Sequence, residues 1–269
     1  MSTLVHAVAD GAVIAKRNLI KIRRDPEVLV FVLISPIMFV LLFAYVFGGS
    51  IPIEGVDYRE FLMAGIFTQT VVFGSTFTGA GLATDLSKGI IDRFRSLPMS
   101  PSAVLTGRTA SDIVYNVLSI LIMALTGLLV GWRIRGSVLE ALGALLLLLA
   151  FAYAFSWVMA YVGLLVPSVE VLNNATFVVL FPVTFIANTF VPSENLPGPL
   201  RTFAEWNPVS SVTQAARELF GNTAPPGLVP VPDTWALRHP VAYTLLWIAL
   251  ILAVFVPLSV RRYARTTAR

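Results

Sequence analysis

The chain has 269 residues, of which 57% are hydrophobic and only 13% charged, about half the charged share of a soluble domain. That balance excludes a water-soluble globular fold. The net charge of +4 sits at the ends of apolar runs, where anionic lipid accounts for it and nucleic acid is not needed. The absence of cysteine excludes disulfides, thiol chemistry and Cys-based metal sites.

Residues 1–27 come first. Leu4, Val8, Ala12, Ala15, Leu19 and Ile22 recur at helical spacing, and Ser2 or Thr3 is placed to cap the helix. The pattern predicts an amphipathic helix in the inner headgroup plane, with Lys16, Arg17, Lys21, Arg23 and Arg24 facing phosphates. Its basic segment is too long for a signal peptide, and no small-residue cleavage site follows. Asp25-Pro26 then breaks the helix and turns the chain into the bilayer.

Residues 28–269 form the membrane domain. Six apolar runs approach or exceed the roughly 20 residues needed to cross a bilayer, at about 28–48, 61–83, 113–131, 138–166, 171–191 and 240–260. The fourth is long enough to tilt, and a few residues around Pro167 join it to the fifth as a tight hairpin. None alternates as a barrel strand does. The fold class is therefore an all-α membrane protein with six transmembrane helices. Thirteen of the 19 Lys and Arg fall before span one, between spans two and three, or after span six. The positive-inside rule places those segments, and both termini, in the cytoplasm.

The segment between spans two and three runs Asp85-Leu-Ser-Lys-Gly-Ile-Ile-Asp-Arg-Phe-Arg-Ser-Leu-Pro98. Read as one helix, it carries Leu86, Ile90, Phe94 and Leu97 on one face. Lys88, Asp92 and Arg95 lie opposite, and Pro98 ends it. Such a helix docks its apolar side into a partner's groove or lies on the membrane. Gly89 inside it costs about 1 kcal/mol relative to Ala, which predicts close packing or a bend there.

After span five, prolines at 192, 197, 199 and 208 cut the chain into short pieces. Residues 200–206 and 212–220 are long enough for about two helical turns each. They predict a short extracellular re-entrant hairpin ahead of span six, since non-helical backbone at membrane depth must be covered by protein. Trp206, Trp235 and Trp247 read as interface anchors, and residues 224–232 as an extended Pro-rich linker.

Two stripes mix aromatic rings with uncharged polar groups. Span two presents Gln69, Phe73 and Thr76, with Phe77 beside them, and span five presents Asn174, Phe177, Phe181, Thr184 and Asn188. This is a lining for a mostly apolar, amphiphilic ligand, although the same polar residues also glue helices together. Asp85, Asp112, Glu140 and Glu170 read as lying at or near span ends, which argues against an ion-coupled transporter. The two histidines, His6 and His239, fall on opposite sides of the membrane, so no catalytic or metal cluster forms. No Gly-x-x-x-x-Gly-Lys-Ser/Thr loop occurs, and Lys16, Lys21 and Lys88 lie in no glycine-rich phosphate cradle. The chain carries no ATPase site.

Several motifs stand in order along nearly the whole chain. They are Asp85, Gly89 and Arg93 with Ser96-Leu-Pro98; Gly107-Arg108; Phe190-Val-Pro192 with Leu196-Pro197; and Asn207-Pro208-Val209-Ser210. With them the sequence resembles the permease subunits of bacterial type-2 ABC exporters, of the daunorubicin-resistance type that exports drugs and lipids. That family often has Glu near the start of the cassette, where this chain has Thr84-Asp85. The resemblance implies an export permease in the cytoplasmic membrane of a bacterium, without a cofactor of its own. It implies two copies of a separate ABC ATP-binding subunit holding Mg-ATP, and a second permease, the same or homologous. Drug efflux, antibiotic resistance or lipid transport would follow, with a lipophilic drug, polyketide or lipid as substrate. It implies that the cytoplasmic segment is the coupling helix, with Asp85, Leu86, Gly89, Ile90, Arg93, Phe94, Arg95, Leu97 and Pro98 at the ATPase. It also implies that spans two and five line a cavity at the permease dimer interface. A non-transporting membrane assembly subunit is the remaining alternative, and gene context discriminates it.

Overall fold

The computed structural model describes residues 11, 13–18, 20, 26–47, 53, 55–91, 101–225 and 234–265. Among them the regular structure is entirely helical, as lipid demands of a chain that must satisfy its own backbone. Helix α1 spans Pro26–Leu42 and runs into a π-helical turn, Phe43–Phe47. Helix α2, Tyr58–Gly74, starts where the Asp57 side chain accepts from the Arg59 amide. Helix α3, Thr76–Ser87, follows after a break at Ser75. The buried Ser75 hydroxyl bonds Val71 O at 2.7 Å and lies 3.1 Å from Ala152 O on the neighbouring helix, so the break is tied to the core.

Helix α4 is Pro101–Leu129 and α5 is Val138–Gly163. A capping box of Ser137 and Glu140 opens α5. Helix α6, Val169–Phe185, is capped by Ser168. A 3₁₀ turn, Ser193–Asn195, leads to α7, Gly198–Trp206, and α8, Pro208–Phe220. Asn207 joins those two, its Oδ1 accepting from the Val209 amide and its Nδ2 donating to Val183 O. Short α9, Trp235–Arg238, precedes α10, Pro240–Arg265.

Among the described residues, four helical stretches are long and apolar enough to cross a membrane: Tyr58–Ser87, Ala103–Leu129, Val138–Gly163 and Pro240–Arg265. Ile34–Val46 and Val169–Phe185 are shorter apolar helices. Several expected boundaries shift, the second span running over Tyr58–Ser87 and the sixth to Arg265. The third apolar helix begins at Pro101, twelve residues before 113, because a helix with a polar first half can rest on protein. The fourth ends at Gly163, short of 166. The fifth ends at Phe185, not 191. Pro182 within it offers no amide to the preceding turn, and the carbonyls beyond find other donors, described below.

Helix α5 sits at the centre, packed against α10, α3, α8, α4 and α2. Lipid gives no hydrophobic drive for helices to associate, so close approach at small residues carries the packing. Gly79 and Gly163 mark one crossing, where a Cβ on Gly163 would lie 2.4 Å from Gly79 O. Gly65 marks another, where a Cβ would lie 2.0 Å from the backbone oxygen of Thr189. Gly65→Ala is therefore expected to destabilise the protein by about 2–3 kcal/mol, since overpacked sites must move backbone. Gly143→Ala is the control, because a Cβ there meets nothing within 4 Å and gains about 1 kcal/mol of helix propensity. Melting of the two purified variants in detergent checks this; equal melting temperatures would sink it.

The described part of the N-terminal segment is helical at residues 13–18. Its packed face is Gly11, Ile14 and Asn18, while Val13 and Ile20 are exposed. Gly11 and Ile14 meet Gly107 of α4, and Asn18 Nδ2 lies 3.3 Å from Ser111 Oγ. This stretch is thus held by protein as well as by whatever lipid its exposed side meets. Of the basic residues expected to face phosphates, Arg17 turns to Asp85 instead, at 3.2 Å. Lys21, Arg23 and Arg24 lie outside the described residues.

Candidate functional site

Helices α1, α2–α3, α4 and α6 enclose a cleft of 360 Å³. The α2–α3 helix supplies Gln69, Thr70, Phe73, Gly74, Thr76 and Phe77, and α6 supplies Phe177 and Phe181. Ser35, Pro36 and Phe39 of α1 and Tyr115 and Ser119 of α4 close the sides. The rings form pairs: Phe77 with Tyr115 at 5.0 Å, Phe177 with Phe181 at 5.0 Å. From Phe181 the contacts continue through Phe185, Phe190, Phe43 and Phe39, an aromatic file that joins α6 to α1. Phe77, Phe177 and Phe181 are exposed, so the cleft opens at the surface of the single chain.

Among the described residues, no Asp, Glu, Lys, Arg or His lines this space. The Thr70 hydroxyl donates to Met123 Sδ and that of Thr76 to Phe73 O, so both donor protons are committed within the protein. A site of this kind holds apolar or aromatic matter through contact area, with few polar fixings.

Six of the nine residues expected to form a path converge here: Gln69, Phe73, Thr76, Phe77, Phe177 and Phe181. Three do not line the cleft. Asn174 is exposed elsewhere on α6. The buried Thr184 hydroxyl bonds its own helix at Leu180 O, and Asn188 is buried past the helix end, its amide donating to Ser210 Oγ. Tyr115 and Ser119 were missed by sequence reasoning. Their i, i+4 spacing on span three was legible, but which neighbour that stripe faced was not.

The C-terminal end of α3 is tied to the rest of the protein more closely than a solvated loop would be. Asp85 is buried against Arg17. Lys88-Gly89 then form a turn, with Gly89 at φ +66°, and residues 90–91 resume helical geometry. The expected unbroken helix from 85 to 98 is therefore interrupted at Gly89, because a left-handed residue cannot continue a right-handed helix. Among the described residues a Cβ at Gly89 would meet nothing within 4 Å, and the positive φ there makes the glycine serve a bend. Arg93, Phe94, Arg95, Leu97 and Pro98 lie outside the described residues.

At the opposite end of α3, near its start, Thr78 Oγ1 donates to the Asp112 carboxylate, and Asn116 Nδ2 donates to Asp112 O at 2.9 Å. Arg108 shares the neighbourhood of Asp112 and donates to Phe77 O. It lies where a Cβ on Gly81 would stand. Asp112 is not at a helix end, as expected, but buried within α4, since that helix begins so early. Its partners make it a fastening between α3 and α4.

The opposite end of the bundle, near the start of α2, holds an unexpected cation. Arg217 of α8 is 1% exposed and lies over the Phe61 ring at 3.5 Å. Its Nε donates to Phe61 O at 2.9 Å, and its Nη2 to Thr189 O at 3.0 Å and to Asn188 O. Phe61 belongs to the first turn of α2, while Asn188 and Thr189 lie in the turn beyond the end of α6. Tyr58 adds a hydroxyl bond to Phe190 O. Outside them, the Glu60 carboxylate bonds Arg135 and holds its guanidinium pKa above the ordinary value.

An all-helical bundle with long apolar helices, an uncharged aromatic cleft and no nucleotide-binding motif is the body of a membrane permease. The chain belongs to the ABC-2 type transporter family, which matches residues 11–220. It is 33% identical to the daunorubicin resistance ABC transporter permease protein DrrB1 of Streptomyces coeruleorubidus, over 94% of this chain and 85% of that protein. It is 23% identical to the probable doxorubicin resistance ABC transporter permease protein DrrC of Mycobacterium tuberculosis, over 78% of this chain and 76% of the relative. A putative transport permease, ycf38 of Cyanophora paradoxa, is 24% identical over 79% and 74%. The resemblance drawn from the motifs thus holds at the level of family, and the chain is of the permease class rather than the ATPase.

Proposed function

We propose that this protein is the transmembrane permease of an ATP-driven exporter that moves lipophilic drugs, polyketides or lipids out across a bacterial cytoplasmic membrane. The observation that carries the reading is the cleft between α2–α3 and α6, ring-lined and, among the described residues, free of acidic and basic side chains, in a chain related to drug-resistance permeases. Burying a charge in such a wall would be costly, while an apolar guest gains by leaving water.

In this reading the working unit is two permeases, the same or homologous, with two ATP-binding subunits. Each permease crosses the membrane six times, with the shorter apolar helices 34–46 and 169–185 completing the set and both termini in the cytoplasm. Mg-ATP is bound and hydrolysed by the partner. Asp85, Leu86, Gly89 and Ile90, with Arg93, Phe94, Arg95, Leu97 and Pro98, form the segment against which the partner moves. Because α3 joins this segment to the cleft wall, a push on it shifts Phe77 and Phe73 relative to α6. The outer hairpin α7–α8 dips toward the outer leaflet and closes the far end.

Substitution at the cleft tests the proposal. Phe73→Ala and Phe181→Ala each remove a ring from the wall and are expected to change the order of preference among lipophilic substrates. Each should cost about tenfold for aromatic ones at unchanged membrane level. Transport of a panel of dyes by vesicles holding the whole complex reads this out. Equal loss for all substrates, together with loss of protein, would assign the two rings to packing.

A further inference from the structure

The described N-terminal stretch, residues 11, 13–18 and 20, meets two helices at once. Arg17 Nη2 donates to Asp85 Oδ1 at 3.2 Å, near the end of α3. Asn18 Nδ2 lies 3.3 Å from Ser111 Oγ of α4, and a Cβ on Gly107 of α4 would lie 2.4 Å from Gly11 O. Val13, Lys16 and Ile20 on the other side are exposed, so the stretch lies over the bundle as a strap and not inside it. Both strapped helices wall the cleft, α3 with Thr76 and Phe77, α4 with Tyr115 and Ser119.

Nearer the cleft, the bond from Thr78 to Asp112 fastens α3 to α4. One fastening lets a helix pivot on its neighbour, whereas a second one at a distance fixes the angle between them. Asp85 stands seven residues past Thr78, about 10 Å along the helix, which gives the Arg17 contact that leverage. Asp85 is itself 6% exposed, so within the segment proposed to meet the ATPase this carboxylate is turned to Arg17.

We propose that Arg17 is a positioning residue for export: through Asp85 it fixes the angle between α3 and α4, so that a push arriving past Gly89 moves both walls together. The inference rests on the exporter reading and adds the tie that carries the motion from one wall of the cleft to the next.

The test uses the permease with its ATP-binding subunits in vesicles of phosphatidylethanolamine and phosphatidylglycerol. Movement of Nile red and Hoechst 33342 is divided by ATP hydrolysed, which makes the result independent of protein amount. Arg17→Gln keeps an amide donor but loses the charge and the length that reach Asp85. It is expected to lower the dye moved per ATP by about tenfold, and Arg17→Lys, which keeps the charge, should recover most of that ratio. Asp85→Asn should give the same loss, and the double variant no more, because both remove one contact. A second readout needs no transport. The chain has no cysteine, so spin labels go on Ser87→Cys of α3 and Thr106→Cys of α4, both exposed sites. Double electron–electron resonance on the full chain in nanodiscs should give one narrow separation, broadened by Arg17→Gln. An unchanged separation, or an unchanged ratio of dye to ATP, overturns the proposal and leaves the exporter reading standing. A lower melting temperature with that ratio intact likewise assigns the pair to stability alone. If the wild-type complex moves neither dye, the exporter reading fails, and this inference fails with it.

Discussion

Arg217→Leu is expected to lower stability by at least about 3 kcal/mol, seen as a lower melting temperature in detergent and scarce protein in the membrane. The side chain holds three backbone carbonyls, Phe61 O, Asn188 O and Thr189 O, from segments far apart in the chain. Leucine fills part of the volume but strands those acceptors, whose residues Phe61, Asn188 and Thr189 are all buried, where water does not reach them. Each buried acceptor without a partner costs about 1–3 kcal/mol. Arg217→Lys should be intermediate, since an ammonium keeps the charge but lacks the planar fork that spans two elements. Leucine and wild type melting together would show that the carbonyls find other donors, and that the outer seal does not depend on this residue.

Gly89→Ala should leave the protein in the membrane at normal level yet reduce coupled ATP hydrolysis by about tenfold or more. Small errors of position at a working contact cost up to about 10²-fold. The left-handed conformation at φ +66° costs a side chain about 1–2 kcal/mol, while the open space around it adds no clash. The strain is thus local and is relieved by redirecting the chain at the start of the segment proposed to meet the ATPase. Phe94→Ala removes an apolar side chain from the same segment and should weaken co-purification of the ATP-binding subunit. Full coupling in both variants, with the complex intact, would mean that the motor pushes elsewhere. The Gly65→Ala variant should behave in the opposite way, losing stability before coupling.

Much of this protein was legible from patterning. Apolar runs with few charges announced the helices, because in lipid the backbone has few other ways to satisfy itself. Proline placement announced the two short helices before α10, since a residue without an amide must stand at a helix start or in a turn. The aromatic and polar stripes of spans two and five pointed to six residues of one cleft, because i, i+4 spacing puts them on one face. The ordered motifs carried the family, which the family match and the relatives establish.

Other features follow from pairings between distant segments, which periodicity does not report. Arg17 looked like a phosphate ligand until folding set it beside Asp85. Asp112 looked terminal until α4 was seen to begin at Pro101. Arg217 counted as one more outer basic residue, and only the halt of α6 at Phe185 gave it carbonyls to bind. Gly89 allowed two outcomes, a packing contact or a bend, and its positive φ chose the bend.

The sequence by itself therefore determined the solvent this protein lives in, its helical class and its family, because each follows from composition and local order. The tertiary structure alone decided which faces meet. It set α4 as the fourth wall of the cleft and laid Arg217 of α8 against α2 and the turn after α6. The physical reason is that helix periodicity says which residues share a face, whereas the neighbour of that face depends on packing at small residues and on buried polar atoms finding partners across the bundle.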